Sequence, residues 1–76
     1  MDAESWKMVA IMVTMAVGII VPAFSIGWIG SSAMNALGRN PEARGGITTN
    51  LVLAIALAEA LGIYCLITAV LLVFVV

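Results

Sequence analysis

Between Lys7 and Arg39 lie 31 consecutive residues without a charge. About 20 apolar residues suffice to carry a helix across a bilayer, so this run constrains the fold more than any other feature. Beyond Arg44 the chain is again uncharged to Val76, with Glu59 the single exception. Two spans are therefore expected, residues 9–37 and 47–76. Helices are the default, since two strands cannot close a barrel and lipid offers no partner to an open edge. At ~1.5 Å per residue each span is about 45 Å long, more than a ~30 Å hydrocarbon core, so both must tilt or project.

Composition excludes most other classes. Only 9% of the residues are charged and 64% are hydrophobic, whereas soluble domains are about 25% charged. A soluble domain this small needs staples or a polar surface. The single Cys65 cannot form an internal disulfide, and the absence of histidine removes a Cys/His zinc site. No metal or cofactor is expected. Three cations against four acids argue against a nucleic-acid partner, because few phosphates can be neutralised. The first 25 residues have an acidic start and an apolar run that continues too far for a cleaved signal peptide.

The stretch Gly38-Arg39-Asn40-Pro41-Glu42-Ala43-Arg44-Gly45-Gly46 reads as a polar turn. Pro41 disfavours helix at Asn40, and the glycine pair offers a flexible stop. An antiparallel hairpin results, with residues 1–8 as a tail and 38–46 as the loop. The loop holds Arg39 and Arg44, the tail only Lys7 beside two acids. The bias of cations toward the inside places the loop in the cytoplasm and both termini opposite.

Glu59 is the residue that points to chemistry. It lies among Ala56, Leu57, Ala58, Ala60, Leu61, Gly62 and Ile63, near mid-membrane. An ionised carboxylate there costs several kcal/mol, so the group is expected to hold its proton. No Lys, Arg or His shares its depth. A lone carboxyl so placed suits a carrier of protons or cations; the bland alternative is a protonated Glu serving as glue between helices. With the hairpin centred between Glu42 and Ala43, Glu59 falls level with Ile26, flanked by Ser25 and Gly27. Tyr64, five residues on, is expected to reach back toward the carboxyl.

In the first helix Ala23 and Gly27 share one flank and Ser25 the opposite one, with Gly30, Ser31 and Gly18 extending the smooth surface. Two smooth flanks suit a helix with close neighbours on both sides, as in a ring of hairpins; ordinary small-residue content of membrane helices is the plainer explanation. Pro22 should bend this helix near Gly18. Trp6 suits an interfacial anchor, while Trp28 lies deeper, packed or lipid-facing. Met1, Met8, Met12, Met15 and Met34 read as packing or lipid contact, and Cys65 as an inert buried thiol.

These features together resemble the proteolipid c-subunits of F-type ATP synthases, over nearly the whole length. The carriers are the two-helix hairpin, the loop run Arg39-Asn40-Pro41-Glu42-Ala43, and Ala58-Glu59 within the segment from Leu53 to Tyr64. The resemblance implies an all-α membrane hairpin assembling into a homo-oligomeric ring, first helices inside and second helices outside. It implies that Glu59 takes a proton from one half-channel of the stator a-subunit and releases it into the other. It implies that Arg39, Asn40 and Pro41 contact a central stalk, in a bacterial inner membrane. Where many members carry a glycine-repeat run, this chain has Val21-Pro22-Ala23-Phe24-Ser25-Ile26-Gly27, which should hold inner helices further apart. Sodium-carrying members place oxygen-bearing side chains at positions held here by Ile26, Ala60 and Leu61, so a proton is the expected ion, with Ser25, Ile26, Ala60 and Tyr64 as site neighbours.

ATP chemistry is not expected in this chain, which has no phosphate-binding loop and no nucleophile–base set. The rival readings are a small pore-forming or holin-like hairpin, and a structural adaptor whose Glu59 merely binds another helix.

Overall fold

The computed structural model describes residues 1–76 as three helices in two antiparallel arms. Helix α1 runs Ala3–Gly18 and α2 runs Ile20–Arg39; a single 3-10 turn, Pro41–Ala43, leads into α3, Arg44–Phe74. The molecule is a rod 59 Å long and 18 Å wide. Both arms are long and apolar enough to cross a membrane, and the chain is an integral membrane protein.

The first helix begins well before the apolar run because Asp2 caps it. Its carboxylate accepts from the Ser5 amide at 2.9 Å, and Glu4 in the first turn complements the helix dipole. Hydropathy alone does not see this turn. Pro22 lacks an amide hydrogen, so no bond returns to the Gly18 carbonyl. The helix is interrupted beside that carbonyl, at Ile19, in keeping with the bend that Pro22 predicts.

The polar connection is far tighter than the nine-residue loop that its composition suggests. Arg39 closes α2 as a cation in its last turn. Asn40 alone lies outside a helix, at φ −141° and ψ 78°, extended as the following Pro41 favours. Gly45 and Gly46 do not stop anything. They lie in the first turn of α3, and no glycine in the chain has positive φ. The turn centre consequently shifts by one residue, and with it the register. Gly18 packs on Cys65; stepping six residues toward the turn from each brings Phe24 level with Glu59. The groove shared by Ile29 and Ala54 gives the same pairing from the other side. Ile26, expected at this level, lies two residues closer to the turn.

The arms meet along two heptad series on each side. Ile11, Gly18 and Ser25, with Met15, Pro22, Ile29 and Ala36, face Leu51, Ala58, Cys65 and Leu72, with Ile55, Gly62 and Ala69. All are buried or half-buried, and a repeat of seven gives a left-handed twist of one arm about the other. Only Pro22 and Ala69 are fully buried. Most of the apolar surface faces outward, which in a bilayer is lipid or another protein.

Candidate functional site at Glu59

Glu59 is the middle residue of α3, fifteen residues from Arg44 and fifteen from Phe74. That puts about 22 Å of helix on either side. Its nearest cation along the helix is therefore the one at the turn. The preceding Ala58 belongs to the seam, so Glu59 points about 100° away from it, onto an exposed flank. Its neighbours on that flank are Val52, Ile63 and Leu66. Five side chains make hydrogen bonds, and none of these bonds reaches the Glu59 carboxyl. The group is thus displayed sideways, unpaired within its own hairpin.

Its expected neighbours divide into two sets. Ser25 and Ile26 are half-buried in the seam toward α3, so Ser25 is not on an outer flank. Ala60 is half-buried and offers no side-chain oxygen. Tyr64 does not turn back to Glu59. It sits about 140° around the helix from it, on the opposite flank, 63% exposed, where it lines a groove with Thr14, Val17 and Thr68. Acid and phenol therefore leave the hairpin on opposite sides.

The small residues show the same division. Ala23 and Gly27 are exposed, away from α3. A Cβ added to Gly27 or Gly30 meets nothing within 4 Å, so neither glycine is needed for packing inside one hairpin. Gly18 is different: a Cβ there would lie 2.6 Å from the Cys65 Sγ and 3.2 Å from its Cβ. Sequence reasoning misses this close approach of the arms; its only trace is a glycine four residues before a proline. Trp28 is 67% exposed and stacks edge-on against Phe24 with ring centroids 5.6 Å apart. At the turn, Arg39, Asn40 and Pro41 are all exposed. No cluster of three potential metal-ligating side chains exists.

Such an arrangement can do one thing chemically: present a single exchangeable carboxyl, at mid-membrane, to whatever lies beside the hairpin. Comparison with known proteins adds to this. The family model describing the c-subunit of ATP synthase matches residues 9–72. The ATP synthase c-subunit of Dehalococcoides mccartyi is 41% identical over 75 residues, covering 99% of each chain. That of Petrotoga mobilis is 42% identical over 69 residues, 91% of this chain and 72% of that one. That of Chloroflexus aurantiacus is 40% identical over 66 residues, 87% of each. No solved structure matches.

Proposed function

The chain belongs to the ATP synthase c-subunit family, and from that premise we propose that it forms a ring of identical hairpins whose rotation is driven by protons carried one at a time on Glu59. It is a non-catalytic part of the complex. The observation that carries the reading is the unpaired carboxyl at the centre of α3, exposed on one flank. In a ring of like copies, the Glu59 flank of one hairpin meets the Tyr64 flank of the next. The neighbour's phenol, not its own, then supplies a hydrogen-bond partner.

The cycle follows from the cost of charge in lipid. Protonated, Glu59 crosses hydrocarbon as a neutral group; ionised, it costs several kcal/mol there. The ring therefore turns freely only with its sites loaded. A cation on the stator a-subunit stabilises the carboxylate and releases the proton at that one position. Arg39, Asn40 and Pro41 form the contact with the central stalk, which puts the turn in the cytoplasm and both termini across a bacterial inner membrane.

A proton is favoured over sodium on ligand count. Sodium must exchange its hydration shell for several oxygens, and the side chains on the Glu59 flank, Val52, Ile63 and Leu66, offer none. Carbodiimide labelling of Glu59 at fixed pH, with and without sodium, tests this. Labelling that follows pH alone supports a proton ring. Strong protection by millimolar sodium overturns it. Slow labelling regardless of pH reduces Glu59 to structural glue.

A further inference from the structure

The half of the hairpin between Glu59 and the termini carries a groove between α1 and α3, about 440 Å³ in volume, in which Val13 and Val17 share the lining with hydroxyl-bearing side chains. Thr14, Tyr64, Cys65 and Thr68 line it together with Gly18. The Thr14 hydroxyl donates to the Ala10 carbonyl at 2.7 Å, and the Thr68 hydroxyl to the Tyr64 carbonyl at 3.0 Å. Each hydroxyl proton is thereby used, and each oxygen keeps lone pairs able to accept. The Tyr64 O–H makes no hydrogen bond inside the hairpin. The Gly18 carbonyl is the orphan left by Pro22, bracketed by intact bonds from Ile19 to Met15 and from Ala23 to Ile19. Two acceptors and a free donor thus line one groove, beside the glycine whose carbonyl Pro22 leaves without its helical partner.

The opposite half offers a contrast. Its groove, about 550 Å³, is lined by Ile29, Ala33, Ile47, Leu51 and Ala54. Its one polar side chain, Asn50, donates its amide to the Gly46 carbonyl at 3.0 Å. Hydroxyl-bearing side chains line only the groove of the terminal half.

We infer that the groove formed by Thr14, Gly18, Tyr64 and Thr68 is a hydration site, holding water between the arms and carrying it from the terminal face of the membrane toward the level of Glu59. A water needs room and two to four polar partners, and both are present. An acyl chain would fill the same space only by leaving the Gly18 carbonyl unsatisfied. The site begins five residues from Glu59, about 7 Å along the axis, and reaches Thr68, about 9 Å short of Phe74. Because it lies on the Tyr64 flank, in a ring it faces the acid of the neighbouring copy; that clause alone rests on the proposed function. Proton access from the terminal side is then partly built into the rotor.

Water-edited solid-state NMR of the labelled, full-length protein in liposomes tests the site. Magnetisation should pass from water to Thr14 and Thr68 at least roughly threefold faster than to Ile67, which lies at the same depth but faces outward. Replacing both threonines by Val should slow transfer to the neighbouring Cys65 to the Ile67 rate, and replacing both by Ser should restore it. Equal rates at Thr14, Thr68 and Ile67 in the natural protein overturn the site. Native mass measurement of the same sample tests the ring separately, so dry threonines in an intact ring reject hydration without touching the proposed function.

Discussion

The Gly18–Cys65 contact sets how closely the two arms approach, and its strength can be worked out. A Cβ at residue 18 would sit 2.6 Å from Sγ and 3.2 Å from Cβ of Cys65, where atoms prefer about 3.5–4.0 Å. Sγ can rotate aside, but the Cβ cannot. Gly18→Ala should therefore cost ~1–3 kcal/mol in overpacking, offset by up to ~1 kcal/mol from the better helix propensity of Ala. The offset hides the contact in a single mutant but cancels in a double-mutant cycle. Paired with Cys65→Gly, which removes both atoms, the coupling should be about 1–2 kcal/mol. Paired with Cys65→Ala, which leaves the Cβ, it should be smaller. The assay is reversible unfolding in mixed micelles, followed by energy transfer between fluorophores at the two termini, which lie at the same end of the rod. Additivity within ~0.3 kcal/mol for both cycles would refute the packing argument and the register drawn from it.

Glu59→Gln should abolish proton transport while the oligomer keeps its mass, since the amide preserves shape and loses the exchangeable proton; a transporting variant would remove Glu59 from the mechanism. Gly27→Leu should leave the hairpin intact, because nothing lies within 4 Å of that site inside it, yet disrupt or enlarge the ring at ~1–3 kcal/mol per interface; an unchanged ring mass counts against packing through that flank. Substituting Arg39 or Asn40 should preserve the ring and uncouple proton flow from ATP synthesis, read as proton uptake without ATP formation. The Ser5 amide holds the Asp2 carboxyl below its ordinary value of 3.8. The cap therefore contributes fully above that value and is lost as pH falls through the lower folded one, so Ser5 amide exchange should quicken only in strongly acidic buffer.

The two arms are legible in the sequence because charge is so scarce that its absence marks them. The interruption at Ile19 is legible because Pro22 has a fixed effect on the carbonyl four residues back. The seam is not. In a soluble protein Ile11, Gly18 and Ser25 would stand out from polar neighbours, but here Val13, Val17 and Phe24 are as apolar as the residues that pack, so periodicity carries no contrast. The register differs by two residues for a related reason: a glycine pair after Pro41 reads as a stop in sequence, while Gly45 and Gly46 take ordinary helical angles and let α3 start at Arg44. Counting residues along the axis sets Tyr64 beside Glu59. The spacing of five, about 140° off one face, takes it to the other side.

The tightness of the turn has a mechanical consequence. Between Arg39 and Arg44 only Asn40 lies outside a helix, so the arms join at a corner with almost no slack. A load applied to that corner passes straight into two rods about 55 Å and 46 Å long, rather than being absorbed by a yielding strap. The one other interruption is Ile19, about halfway along the longer rod and braced by the Gly18–Cys65 contact. The hairpin behaves as a stiff lever with a single braced joint, and elastic energy stored during stepwise rotation must reside in more compliant parts of the machine.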